Sequence, residues 1–176
     1  MIRRAAAAAI VLALALGMTT ACQPDPAPSA SGPIFANEEE AFAAAEETYR
    51  AYVDALNQVD LSDPETFEAV YAWTTGEANA GEKKSLSRMH ADGWTVQGDT
   101  LITEVAFDSF DDDGNPAVVL DICADVSDVQ VLDSSGQSVV GPDRPDAQAS
   151  AVTLVGSTSS TTRLVIANIE GGDHQC

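Results

Sequence analysis

The sequence is poor in positive charge. Its 176 residues include 8 lysines and arginines against 28 aspartates and glutamates, which gives a formal net charge of −20. This balance excludes a nucleic-acid-binding protein, because such binding depends on clustered basic side chains. It also opposes electrostatic attraction to anionic lipid headgroups. The acidity is typical of a protein kept soluble outside the cell, and a cation-binding surface is the alternative interpretation.

The sequence also lacks the local motifs of catalysis. It contains no Gly-rich phosphate loop, no Ser-His-Asp nucleophile elbow and no zinc-ligand spacing. Of its two histidines, His90 ends a predicted helix, where a positive ring complements the helix dipole. His174 lies in a polar segment in which we expect it to be exposed. We therefore predict a non-enzymatic protein with no catalytic residue, no metal site and no cofactor.

A hydrophobic run long enough to span a bilayer is absent too. The apolar stretch at residues 5–17 follows Arg3 and Arg4 and leads into small residues, which predicts a secretory signal peptide over residues 1–21. The tetrad that ends at Cys22 resembles a bacterial lipobox, with Thr19 where leucine is usual. The resemblance implies cleavage before Cys22, its modification with lipid, including palmitate, and attachment to the outer face of the cytoplasmic membrane.

Cysteine is scarce, and the sequence suggests a role for each of the three cysteines. If Cys22 carries lipid, Cys123 and Cys176 remain as a pair in an oxidising compartment. We predict that they form a disulfide, which would close a loop of about fifty residues and contribute about 4 kcal/mol in the chain-entropy model. Two free thiols are the alternative. A metal site is less favoured, because no second Cys or His lies nearby at ligand spacing.

Bulky apolar residues are almost absent from residues 23–36, which are rich in proline, serine and alanine. Such a segment cannot bury enough surface to become ordered. Residues 22–36 are therefore predicted to form a lipidated, disordered tether. The remaining residues, 37–176, are predicted to form a single domain, because about 140 residues can bury a sizeable core.

The first part of this domain has helical periodicity. Asn37 can cap a helix that extends to Leu56, with three glutamates in its first turn. Asp63 and Pro64 predict the start of a second, shorter helix. A third helix, over about residues 75–89, is less well defined because two glycines weaken its start.

From Gly93 onward the pattern changes to short β segments separated by turns. Alternation over residues 101–107 assigns four side chains to one face: Leu101, Thr103, Val105 and Phe107. The remaining segments are predicted near residues 117–124, 129–132, 151–157 and 163–169. Helices followed by antiparallel strands predict an α+β fold, in which the N-terminal helices pack on one face of the sheet.

The order of elements resembles the nuclear-transport-factor-2-like, or cystatin-like, superfamily, and small actinobacterial lipoproteins of that type in particular. The likeness depends on the helix at residues 37–56, on Gly93-Trp94, and on residues 121–127 and 171–176. It implies a curved antiparallel sheet that forms a cone with the helices, and a cavity between them. Ile166 and Ile169 stand in the last strand, where many relatives carry a tryptophan.

Three aromatic residues are the candidate lining of such a cavity: Tyr49, Trp73 and Trp94. Small-molecule pockets are built from such side chains with a few polar groups, and ordinary core packing is the alternative. Some members of the superfamily are isomerase- or dehydratase-like enzymes with a carboxylate inside the cone. Glu104 is the nearest candidate for such a base, and we expect it to point outward.

The acidic run at residues 111–113 invites comparison with a calcium-binding loop. With Gly114 at the sixth position, Ser109 and Leu120 occupy the first and twelfth, so the closing carboxylate is missing. We therefore predict a solvated hairpin turn.

Together these features favour a non-catalytic domain, tethered to the membrane through Cys22, that binds a partner protein or a small apolar ligand. A structural surface module that acts through its acidic face is the first alternative. An isomerase- or dehydratase-like enzyme is the second.

Overall fold

A computed structural model describes residues 34–176. The predicted signal peptide at residues 1–21, Cys22 and most of the predicted tether lie outside the described residues. Within them, three α-helices precede six β-strands. The helices are α1 (Glu38–Asn57), α2 (Phe67–Tyr71), which continues a 3-10 turn at Pro64–Thr66, and α3 (Gly76–Ala91). The strands are β1 (Thr95–Gln97), β2 (Leu101–Asp111), β3 (Ala117–Asp125), β4 (Gln130–Leu132), β5 (Ala147–Gly156) and β6 (Leu164–Gly171).

Helix α1 begins where the sequence predicts. The Asn37 side chain accepts a hydrogen bond from the Glu40 backbone N–H (2.9 Å), and the Glu40 carboxylate accepts one from the Ala36 N–H (2.9 Å). The first bond satisfies a donor that the start of a helix leaves free, and the second ties the residue before the cap to the first turn of α1. The Ala36 N–H, with the Arg163 guanidinium, also holds the pKa of Glu40 below its usual value. In the part of the chain that the structure describes, no helix is long and apolar enough to cross a membrane.

The two shorter helices differ in how clearly the sequence indicates them. The Asp63 side chain accepts a hydrogen bond from the Glu65 N–H (3.1 Å), and Pro64 occupies the first position, as predicted. Helix α3 starts at Gly76, whose φ is +54°. Leu86 is the buried residue of α3. Because the helix presents so little apolar surface to the core, its periodicity in the sequence is weak.

The strands form two antiparallel sheets. The main sheet has the order β2-β3-β5-β6, and β1 pairs with β4 in a separate two-stranded sheet. Helix α1 contacts β2, β3 and β6, and α3 contacts β6, so the helices lie on one face of the main sheet. This arrangement confirms the predicted α+β fold, with N-terminal helices packed on a curved antiparallel sheet.

The alternation predicted along β2 is partly wrong. Ile102 packs against the core, whereas Leu101 is 56% exposed. A β-bulge between Ile102 and Glu104 causes the difference, because one extra residue moves the following side chains to the other face. Phe107 still faces the helices, since its ring packs edge-on against Phe42 with 5.9 Å between centroids.

The core lies between the helices and the main sheet. Its fully buried strand residues come from the inner face of β3, β5 and β6: Val118, Leu120, Ile122, Val152, Leu154, Leu164 and Ile166. Because side chains alternate along a strand, Asp121 and Cys123 of β3 point to the opposite, outer face.

The ordered domain begins before the predicted boundary at Asn37. Phe35 is 1% exposed, and its ring packs edge-on against Phe110 with 6.3 Å between centroids. The Arg163 guanidinium lies 4.6 Å from the centre of the Phe35 ring and donates hydrogen bonds to the Ile34 carbonyl and the Glu40 carboxylate. Residues 34–36 therefore belong to the domain and not to the tether. Local composition does not reveal this, because the site that receives Phe35 is formed by distant segments.

Cys123 and Cys176 form a disulfide, with their Cα atoms 5.4 Å apart. The sequence predicts this disulfide, because Cys123 and Cys176 are the two cysteines that remain if Cys22 carries lipid. Cys123 is 3% exposed on the outer side of β3. The bond ties the segment that follows β6 to the middle of the main sheet.

Candidate ligand-binding groove

A groove of about 300 Å³ lies between the C-terminal part of α1, helix α3 and the β1–β4 sheet. Its walls are mostly apolar: Leu56, Val59, Leu61, Leu86, Met89, Val96, Val129 and Val131. The rest of the lining consists of Gly98 and four polar residues: Asn57, Gln97, Asp99 and Thr100. This volume is at the lower end of the range for small-molecule sites, about 300–1,000 Å³.

The two-stranded sheet forms one wall of the groove. Val96 of β1 is paired with Val131 of β4, so the two side chains lie on the same face, and both line the groove. Val96 is 40% exposed. The groove is therefore open to solvent beside Val96, and an apolar surface is available to a ligand there.

The loop between β1 and β2 is attached to neighbouring segments beside the groove. Gly98 has a φ of +79°, and a Cβ at this position would lie 2.1 Å from the Asp128 carbonyl oxygen, so only glycine fits. The Asn57 amide donates a hydrogen bond to the Thr100 carbonyl (3.0 Å) and accepts one from the Thr100 N–H (3.0 Å). These two bonds attach the loop to the end of α1, so this side of the groove is preformed.

The groove offers apolar surface and few reactive groups. Among the described residues that line it, Asp99 is the only ionisable one, and it is exposed. The amide of Asn57 is already paired with Thr100 through both of its polar atoms. A general base must reach the substrate from a position that tunes its pKa. The lining is instead typical of a site that holds an apolar molecule.

None of the three aromatic residues predicted to line a cavity lines the groove. Tyr49 is 6% exposed within the core. Trp73 borders a shallow depression between α1 and α2, and Trp94 packs against the core after α3. All three belong to or pack against the core between the helices and the sheet. Helical periodicity correctly assigns Tyr49 to the buried face, where its ring lies 5.8 Å from that of Tyr52 between centroids.

The buried tyrosines of α1 have a structural role. The Tyr52 hydroxyl donates a hydrogen bond to Glu82 Oε1 (2.6 Å), which joins α1 to α3. Burial, together with the nearby charge of Glu82, raises the pKa of Tyr49 to about 12 and also raises the pKa of Tyr52. Both phenols therefore remain neutral at physiological pH.

Two acidic features singled out in the sequence lie away from the groove. Glu104 is exposed on the outer face of the main sheet, paired in register with Cys123. At the acidic run, the Asp111 side chain accepts a hydrogen bond from the Asp113 N–H (2.9 Å), and Gly114 has a φ of +87°. This is a hairpin turn between β2 and β3, which confirms the predicted turn.

The two histidines have different surroundings. His90 Nδ1 lies 2.6 Å from the Leu61 carbonyl oxygen, and the ring packs edge-on against Phe67, which joins the end of α3 to the preceding loop. The expectation that His174 is exposed is wrong, because its side chain is 23% exposed and lies against β3. The disulfide brings this segment back onto the sheet, and no local pattern indicates that contact.

The lining of the groove is not visible in the sequence, because its walls come from segments that are distant in the chain. The apolar residues of β1 and β4 indicate two short strands. Their pairing with one another, and their position opposite Leu86 and Met89, depends on tertiary contacts.

The chain matches no protein-family model and no curated protein. Its structure is similar to the intermembrane space region of the chloroplast protein ARC6, with a TM-score of 0.51 and 13% identity over 73% of this chain and 94% of that chain. The VirB8 protein of Agrobacterium tumefaciens has a TM-score of 0.40 and 11% identity over 82% of this chain and 99% of that chain. A periplasmic fragment of TraM has a TM-score of 0.40 and 10% identity, covering 77% and 96%. At this identity, the similarity to the ARC6 region shows a shared fold.

Proposed function

We propose that this protein is a non-catalytic extracytoplasmic domain that binds a small apolar ligand in the groove between α1, α3 and the β1–β4 sheet. The observation that carries the proposal is the preformed, apolar-walled groove, with Val96 and Val131 on one side and Leu86 and Met89 on the other. Burying an apolar ligand against such walls is favourable at roughly 25 cal/mol per Å² of surface removed from water.

The negative charge of the protein restricts which ligands can bind in the groove. The chain carries a formal net charge of −20, and Asp99 lies at the groove itself. Like charges repel across a surface of one sign, so anionic amphiphiles such as fatty acids are disfavoured. The ligand class that fits is a neutral or cationic apolar molecule small enough for about 300 Å³.

The neutral fluorophore N-phenyl-1-naphthylamine tests the groove directly. We expect its fluorescence to rise on titration with the protein, and the affinity to fall at least ~10-fold in Val96→Arg, because a charged side chain enters the apolar wall. Val139→Arg is the matched control, since Val139 is 41% exposed but does not line the groove. Equal affinity of the two variants, or no fluorescence gain with the unmodified protein, would refute the groove as a binding site.

Membrane attachment is a second part of the proposal. Export is supported by the signal-like residues 1–21, by the Cys123–Cys176 disulfide, which suits an oxidising compartment, and by the acidic surface. The ARC6 region that shares this fold is itself an intermembrane space region. We infer that lipid on Cys22 holds the domain at the outer face of the cell membrane.

Metabolic labelling with a palmitate analogue tests this attachment. We expect label to be incorporated into the unmodified chain and to be lost in Cys22→Ala, with the variant released from the membrane fraction. Cys176→Ala is the control, because it removes a cysteine other than Cys22 and should retain the label. Label that persists in Cys22→Ala would contradict lipidation at this residue.

A further inference from the structure

A second polar cluster lies on the outer face of the main sheet, against the segment that follows β6. A cavity of about 130 Å³ is lined there by Glu104, Asp121, Cys123 and His174, together with Ala106 and Gln175. None of these residues lines the apolar groove. Because the helices cover the opposite face of the sheet, this cavity is a separate site.

The His174 ring is held in one orientation. Its Nε2 lies 3.1 Å from the Ile122 carbonyl oxygen. A carbonyl only accepts hydrogen bonds, so Nε2 carries the hydrogen and donates it. In the neutral ring the other nitrogen, Nδ1, then presents a lone pair.

This lone pair has no partner among the described residues. Nδ1 of His174 is buried and makes no hydrogen bond, and the Asp121 Oδ1 atom lies 3.5 Å away. Two acceptors thus face one another across a short gap, which is unfavourable unless a proton or a metal ion lies between them.

We propose that this cluster is a zinc site, in which Zn²⁺ is bound by His174 Nδ1 and Asp121 Oδ1, with Glu104 as the third protein ligand. Zinc bonds to nitrogen and oxygen are about 2.0–2.2 Å, so two ligands at a tetrahedral angle are separated by about 3.4 Å. The observed separation of 3.5 Å between Nδ1 and Oδ1 agrees with this value. Water completes the coordination, since a cavity of about 130 Å³ exceeds the volume of an ion.

The surroundings of His174 match those of a metal ligand. A histidine that binds metal through one nitrogen commonly donates the other N–H to a backbone carbonyl, which fixes its orientation, as His174 does to Ile122. The backbone also leaves space for the ring: a Cβ at Gly172 would lie 2.7 Å from His174 Nδ1. Glycine at position 172 therefore accommodates the imidazole at this place.

Glu104 completes the set from the neighbouring strand. It pairs in register with Cys123, two residues from Asp121 on the outer face of β3, and its side chain is exposed. As the structure stands, its carboxylate is not within 4.8 Å of the ligand atoms of both His174 and Asp121, so Glu104 reaches the ion only after a change of rotamer.

The disulfide supports the site without supplying a ligand. The sulfur atoms of Cys123 and Cys176 lie within 4.8 Å of a ligand nitrogen of His174. They are bonded to one another, however, and the metal ligand is the thiolate. Their role is to hold the His174 segment on the sheet, so the site is complete in the oxidised protein.

Competition with a chromophoric zinc indicator tests the site in the full chain with its disulfide intact. Excess Ca²⁺ is added to occupy the general acidic surface. We expect one Zn²⁺ per chain, with affinity lowered at least ~10-fold in His174→Gln and in Asp121→Asn, and by a smaller factor in Glu104→Gln. The matched controls, His90→Gln and Asp111→Asn, should bind Zn²⁺ as the unmodified protein does.

Nitrogen chemical shifts of the histidine rings provide a second readout that does not depend on a variant. Zn²⁺ should shift the Nδ1 resonance of His174 far more than its Nε2 resonance and leave His90 unchanged. Equal Zn²⁺ affinity in all variants would show surface binding and overturn the proposal. Binding that appears only after reduction by a dithiol would overturn it too, because the thiolates would then be the ligands. A Nδ1 resonance that responds to pH but not to Zn²⁺ would identify the cation as a proton.

Discussion

Replacing Cys123 and Cys176 with alanine is expected to lower the free energy of unfolding by about 4 kcal/mol. The two residues are 53 positions apart, so the disulfide removes the closure entropy of a long loop from the unfolded chain. For a domain of this size, the same loss corresponds to a melting temperature roughly 10–15 °C lower. Urea denaturation followed by circular dichroism measures the change.

The single variant Cys176→Ala is the control for this prediction. It removes the same cross-link but leaves the buried Cys123 side chain in place, so it separates loop closure from packing. We expect the single and double variants to agree within about 1 kcal/mol, because replacing Cys123 by alanine removes only one sulfur atom. A loss below about 1 kcal/mol in both would show that the cross-link does not limit the unfolded chain as the entropy model requires.

Phe35→Ala is expected to destabilise the domain by about 3–5 kcal/mol, as for other buried aromatic residues. The Phe35 ring is 1% exposed, packs edge-on against Phe110 and lies beneath the Arg163 guanidinium. Its loss would leave a cavity and also remove the ring on which the Arg163 guanidinium lies. Equilibrium unfolding in urea measures the effect.

Phe107→Ala is the matched control for this substitution. Phe107 is 38% exposed and packs edge-on against Phe42, so we expect a loss of about 1 kcal/mol from that aromatic pair. If residues 34–36 were part of a tether, Phe35→Ala would leave stability unchanged. An unfolding midpoint equal to that of the unmodified protein would therefore contradict the assignment of Phe35 to the core.

The elements that sequence reasoning predicted well are those specified by neighbouring residues. The α1 cap depends on Asn37 and Glu40, three positions apart. The β2–β3 turn depends on Asp111, Asp113 and Gly114 within one short segment. Such short-range interactions can be predicted from a single sequence, because the residues that form them are close together in the chain.

The predictions of the inward face of β2 and of the cavity-lining residues failed for the same reason. The inward face of β2 changes at the bulge after Ile102, which depends on its pairing with β3. The groove is formed by α1, α3, β1 and β4, and its lining contains none of Tyr49, Trp73 or Trp94. Each of these features requires contacts between segments that are distant in the chain, and composition or periodicity does not encode such contacts locally.

By itself, the sequence determined the order of helices and strands, the acidic surface, the predicted export signal and the pairing that remains for Cys123 and Cys176. These follow from local hydrogen bonding, periodicity and charge, which act within a few residues or sum over the whole chain. Only the tertiary structure decided that Phe35 is core, that β1 and β4 form the wall of a groove, and that His174 faces Asp121. The physical reason is that burial and side-chain geometry arise when distant segments pack together.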